Sequence, residues 1–233
     1  MTLLPLALVM ALSQVAAPVK DLDAAINSLG SLQFPVRSGA SRAIRRGPPA
    51  QVVPALIDAA ANHKDGYTRF RALVLLTGFN DPRADALMLQ LLADPNDRVR
   101  AVAYGWFEHR PNPEAAAKML AALEEEASEF VRPALTRTLA AHDAAATRAA
   151  MTQLVTRGQD FFRSVVIEAL GDHKAAYAAD AIAEVAKLDG PLQDDAALAI
   201  GKIGDRRFLT TLAGIQRTAP RERQPAIAAS SHR

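Results

Sequence analysis

The 233-residue chain has no cysteine. That excludes a disulfide framework, thiolate metal sites and cysteine nucleophiles, and it fits either a reducing or an oxidising compartment. Aromatics are scarce, at 5% of the chain, with a single tryptophan. No stretch alternates with a period of two, so no strand is predicted. Charge is close to balanced, with 27 Lys and Arg against 25 Asp and Glu for a net +2. Such a balance does not by itself imply nucleic acid. Long apolar runs are missing: Leu3 to Leu12 contains Pro5 and is too short to span a bilayer as a helix.

The usual catalytic signatures are absent too. The histidines are His63, His109, His142, His173 and His232, and none belongs to a His-Glu-x-x-His pair. Gly39-Ala40-Ser41-Arg42-Ala43 echoes a nucleophile elbow only faintly, because no strand precedes it. Ser41 is read as a small packing residue. No Gly-rich loop precedes a Lys-Ser or Lys-Thr. Glu124-Glu125-Glu126 and Asp194-Asp195 read as solvated faces or helix ends. No cofactor, catalytic residue or metal ligand is assigned.

What is present is alanine in helical register. In Leu192 to Asp205 the apolar residues fall at 192, 196, 199, 200 and 203, one stripe of a helix. The stripe is small, so another helix can approach closely. Gly204 is placed to end the helix at positive φ, and Asp205 to open the next one.

Weaker copies recur. Aligned on the second residue of the motif, they sit at Arg37, Arg71, Arg100, Arg132, Arg163, Gln193 and Arg223, in steps of 34, 29, 32, 31, 30 and 30 residues. Such a period means stacked supersecondary units. Each unit reads as two helices. The first helices are predicted over 21–32, 50–62, 83–93, 113–125, 144–157, 176–187 and 206–218. The second helices are predicted over 35–46, 67–79, 97–109, 129–141, 160–171, 191–203 and 223–230. Asp81-Pro82, Asp94-Pro95 and Pro111-Asn112-Pro113 fall between helices, where proline does no harm. Asp97, Glu129 and Asp160 each lie three residues before a motif Arg, at or near a second helix's positive end.

The runs Asp94 to Ala103, Phe162-Arg163 with Ala169-Leu170-Gly171-Asp172, and Leu192 to Asp205 resemble HEAT repeats. They are similar to the short bacterial kind also found in phycobilisome lyases. The resemblance covers about Asp21 to Arg223, most strongly Asp81 to Asp205. It implies an all-α, right-handed α-solenoid of six to seven antiparallel helix pairs, with second helices on the concave side. It also implies a ladder in which the motif Arg bonds to the acid six residues earlier and to loop carbonyls of neighbouring units. Asp65/Arg71, Asp94/Arg100 and Glu126/Arg132 keep that pair. Arg157/Arg163 and Lys187/Gln193 do not, so the ladder is expected to break there.

Two features stand out as candidate contact sites. Trp106 fills a position held by Ala43, Ala169 and Ala199 in sister copies, with Tyr104 and Phe107 beside it. It is either core, with Thr77 and Gly78 making room, or one wall of a binding groove. Between residues 37 and 71 there are seven bases and two acids. No aromatics are interleaved to stack bases, which favours a solvated or partner-facing patch over nucleic acid. Ser38, Arg42, Leu76, Gly105, Arg137, Ser164, Glu168 and Leu198 are expected partly exposed along the inner face.

The expected domain organisation is an apolar leader over 1–17 and one repeat array over 18–233. The leader resembles a signal-peptide h-region, predicting a periplasmic or extracellular protein with no integral membrane segment after cleavage. The alternative is an apolar first helix and a cytoplasmic protein. The expected function is a non-catalytic scaffold that binds a protein. The resemblance also raises a tetrapyrrole lyase or chaperone, and, further behind, a DNA-binding solenoid.

Overall fold

The structure, a computed structural model, describes residues 18–218. Every regular element among them is helical. Contacts gather into two compact units that divide between Ala84 and Asp85. The first holds α1 (Leu22–Ser28), α2 (Phe34–Arg46), α3 (Pro49–Asn62), α4 (Gly66–Thr77) and a 3₁₀ turn, Pro82–Ala84. The second holds α5 (Asp85–Leu91), α6 (Asp97–Trp106), α7 (Pro113–Glu125), α8 (Arg132–Ala141), α9 (Ala145–Leu154), α10 (Asp160–Asp172), α11 (Ala179–Ala186), α12 (Gln193–Ile203) and α13 (Leu209–Thr218).

Local chemistry sets most of these boundaries. Asp21, Asp65, Asn96 and Asn112 cap α1, α4, α6 and α7, each side chain accepting from a first-turn N–H. Gly204 closes α12 at φ 77°, in the left-handed region where a Cβ is costly. Several boundaries differ from expectation. The helices expected to start at Ala176 and Arg206 open with 3₁₀ turns, Ala176–Ala178 and Arg206–Phe208. Glu129 lies ahead of α8, which begins at Arg132 with Pro133 in its first turn, where a missing N–H leaves no helical hydrogen bond unmade. α1 stops at Ser28 and the chain turns through Gly30, where a Cβ would lie 2.3 Å from Thr68 Oγ1. The helix predicted over 223–230 and the leader over 1–17 lie outside the described residues.

In the first unit α3 packs on α4 and α1 on α2, over a core of Leu29, Ile44, Val52, Leu56 and Leu73. In the second unit the second helices form a row, α6 on α8, α8 on α10 and α10 on α12. They are more closely joined than the first helices, and small residues allow it. A Cβ on Gly171 would stand 2.8 Å from Ala199 Cα, so the backbones of α10 and α12 nearly touch there. This is the mechanical reason for glycine in Ala169-Leu170-Gly171.

Candidate functional site

The motif arginines do bind loops, but by a different atom than the acid–base pairing implied. Arg100 donates to the backbone carbonyl of Asp94 at 2.8 Å, and Arg132 to the carbonyl of Glu126 at 2.8 Å. Arg37 reaches the carbonyl of Ser31 at 2.6 Å. The offset of six therefore holds where no acid is present, because the acceptor is main chain. The carboxylates turn elsewhere. Glu126 takes a bidentate pair from Arg100 of the preceding repeat, both contacts at 2.8 Å. Asp65 caps α4 by accepting from Thr68 N and Oγ1 at 2.7 and 2.6 Å. It is thus not a partner of Arg71, whose Nε is buried without a hydrogen bond. The expected break after Glu126/Arg132 is also corrected. Arg163 donates to the carbonyl of Val155 at 2.9 Å, and Gln193 to that of Ala186 at 3.3 Å. The offset lengthens with the loop, and the rung survives.

Burial and charge make Arg100–Glu126 the strongest rung. The two side chains are 19% and 3% exposed. The Arg100 hydrogen bond, and then the Ser128 N–H, hold the Glu126 carboxyl below its ordinary range against the opposing pull of burial. Ser128 Oγ donates to Asp97, and Ser164 Oγ to Asp195, adding rungs between neighbouring repeats. Beside Arg100 a cleft of about 810 Å³ is lined by Leu89, Leu92, Ala121, Ala122 and Tyr104. Asp94, Lys118 and Glu125 line it too, together with the paired Arg100 and Glu126.

The aromatic cluster around Trp106 is core. Trp106 is 7% exposed, its Nε1 donates to Asp85 Oδ1 at 2.8 Å, and the Arg110 guanidinium lies 4.3 Å from its ring centroid. Tyr104 is 1% exposed and its hydroxyl donates to the carbonyl of Leu92 at 3.3 Å. Phe107 is 1% exposed. An open aromatic wall built from these rings is therefore replaced by a satisfied interior. The exposed aromatics are Phe34, Tyr67 and Phe161, in the first turn of a second helix, and Phe130, two residues ahead of α8. The recurrence of an aromatic two to four residues before Arg37, Arg71, Arg132 and Arg163 was the available signal for them.

The outward face of the second-helix row is charged. Arg137 on α8 donates to Asp172 on α10 at 3.1 Å, and Lys202 on α12 donates to the same carboxylate at 2.6 Å. Lys202, and with it Arg137, holds the Asp172 carboxyl below the usual range. Glu168 is exposed one turn before Asp172, and Leu198 is 39% exposed on α12. Gly105 is exposed, and Ser164 is half-buried. In the first unit Arg42 is exposed and Ser38 half-buried. Leu76, expected partly exposed, is fully buried, whereas Val74 of the same helix is half-buried. Arg137 and Glu168 thus share one face, whereas Trp106 and Tyr104 are sunk beneath theirs.

A histidine with an occupied ring completes the picture. His142 accepts from Asn112 N–H at Nε2, so its Nδ1–H donates to the carbonyl of Thr138 at 2.8 Å. Both nitrogens are spent on structure. No cluster of three or more His, Asp or Glu with metal-holding geometry occurs among the described residues. No helix among them is long and apolar enough to cross a membrane.

The family model for HEAT repeats matches twice, over residues 22–106 and 84–171. The chain belongs to the HEAT-repeat family. Among solved structures it is similar to YibA of Escherichia coli, with 15% identity over 91% of this chain and 81% of that one, TM-score 0.60. It is similar also to the CpcE–CpcF complex of phycocyanin lyase from Nostoc sp. PCC7120, with 16% identity over 98% and 99% of the two chains, TM-score 0.52. At these identities the likeness is one of fold. No curated protein matches the chain in sequence.

Proposed function

We propose that the chain is a non-catalytic scaffold whose second-helix face receives a protein partner. The observation that carries the reading is the outward surface of α8, α10 and α12. It presents Glu168 and Leu198 to solvent around the Arg137–Asp172–Lys202 network. Mixed charge with apolar points suits a protein surface better than a small substrate, and repeat arrays bind along such faces. The titratable groups inside the second unit that are best placed for chemistry, Glu126 and His142, are engaged in holding repeats together. Residues 1–17 add the proposal of export to a periplasmic or extracellular site, which amino-terminal sequencing of the mature protein tests.

The binding test compares two pairs of surface changes. Glu168→Arg with Leu198→Asp alters the second-helix face. Asp180→Arg with Glu184→Arg alters exposed positions of a first helix, α11. Proteins captured from extracts of the producing cell should be lost with the first pair and kept with the second. Capture indifferent to the first pair contradicts the reading.

A further inference from the structure

The two units carry opposite charge. Residues 18–84 hold nine bases and five acids, net +4, whereas residues 85–218 hold fifteen bases and nineteen acids, net −4. The excess charge is not consumed internally. Among the described residues no carboxylate pairs with Arg42, Arg45 or Arg46, and Arg42 donates to Ser38 Oγ at 3.4 Å. No cation pairs with Glu129 or Glu168, and both are exposed.

These free charges sit beside exposed rings, in matching register. On α2, helical spacing places Phe34, Ser38, Arg42 and Arg45 on one stripe. Phe34 is 69% exposed, and the Arg37 guanidinium lies 5.7 Å from its centroid. On α10 the same spacing aligns Phe161, Val165 and Glu168, and Phe161 is 64% exposed. One repeat away, Glu129 precedes Phe130, also 64% exposed. The step from ring to charge is eight residues on α2 and seven on α10, about 12 and about 10 Å along a helix. Laid side by side in parallel, the two stripes set ring against ring and guanidinium against carboxylate.

We propose that the chain self-associates head to tail, with the α2 stripe of one copy seated on the α10 and Phe130 surface of a second copy. The two surfaces differ, so the contact is heterologous. Each added copy leaves one surface of each kind free, and growth continues unless the geometry closes a ring. This deepens the scaffold reading and rests on it, since Glu168 belongs to the face proposed there as a contact surface.

The test needs no other ligand: the weight-average mass of the full chain is read by light scattering from roughly 10 µM to 1 mM. At low salt the mass should rise above that of a monomer and pass that of a dimer, and it should fall back at about 0.5 M salt, where exposed charges are screened. Arg42→Glu with Arg45→Glu makes both surfaces acidic; Glu168→Arg turns the second surface basic. Each variant alone should associate about tenfold more weakly, or worse. An equimolar mixture of the two should recover association, because each supplies the charge the other lacks. All three substitutions lie at exposed positions, and an unchanged circular dichroism spectrum confirms folding. A wild-type chain monomeric throughout the range, variants that associate as wild type does, or a mixture no tighter than its components overturns the proposal. A monomeric chain whose Glu168→Arg, Leu198→Asp variant still loses a captured protein overturns self-association alone and leaves the scaffold reading standing.

Discussion

Arg100→Ala should destabilise the protein far more than Arg137→Ala, although each breaks an ion pair between consecutive second-helix repeats. Arg100 bonds both oxygens of Glu126 and the carbonyl of Asp94, with its partner's side chain 3% exposed. Truncation strands a buried carboxylate and orphans a loop carbonyl. Breaking a buried pair costs about 3–5 kcal/mol. Glu126 keeps the Ser128 N–H at 3.0 Å and Arg100 is itself partly solvated, so the lower end, about 3 kcal/mol, is expected. Arg137 makes one contact at 3.1 Å with 40% of its side chain exposed, and Asp172 keeps Lys202 at 2.6 Å after its removal. Exposed pairs of that kind contribute about 0–1 kcal/mol. For a chain of this size the two figures convert to Tm losses of about 6–12 °C and at most about 4 °C. Thermal unfolding followed by far-UV circular dichroism measures both. The pH dependence supplies an internal control. Because the folded Glu126 carboxyl titrates below its ordinary value of 4.5, its contribution is present above that value and is lost as pH falls through the folded one. The gap between wild type and Arg100→Ala should therefore narrow below about pH 4.5. Equal Tm losses for the two variants at neutral pH, or a gap that widens on acidification, would refute the reasoning.

Other substitutions probe separate parts of the structure. Gly171→Ala forces a methyl to within 2.8 Å of Ala199 Cα, and the resulting separation of α10 and α12 should cost about 1–3 kcal/mol in chemical denaturation. Trp106→Phe keeps a ring under Arg110 but removes the 2.8 Å bond to Asp85; a loss of about 1–2 kcal/mol in chemical denaturation is expected, with the fold and far-UV circular dichroism retained. Thr147 is fully buried with an unpartnered hydroxyl, so Thr147→Val should raise the denaturation midpoint, by about 1 kcal/mol in stability.

The helices were legible because their signals are local. Alanine in helical register and proline between the runs predict α7 over the residues it occupies, 113–125, and Gly204 as the close of α12. What escaped was long-range. Glu126 and Arg132 are six residues apart and read naturally as partners, yet the carboxylate meets Arg100, 26 residues away, while Arg132 takes the Glu126 carbonyl. Sequence spacing fixes which loop an arginine reaches, but not whether main chain or side chain accepts its proton. The proposed contact face was half legible. Charged positions such as Glu168 and Arg137 followed from helical phase, whereas Leu76 is buried. Trp106 and Tyr104 drew the eye as rare residues, but their polar atoms find partners inside the protein. The solvent-facing rings are three phenylalanines and Tyr67, whose recurrence shows only when repeats are compared.

The central claim, that the second-helix face of the second unit is a contact surface, is tested most directly by placing a photo-crosslinking amino acid in the producing cell at Glu168, Leu198, Asp180 or Glu184, one site at a time. Covalent adducts of defined mass should form at Glu168 and Leu198 and be absent at Asp180 and Glu184. Adducts confined to the α11 sites, or distributed equally over all four, would contradict it.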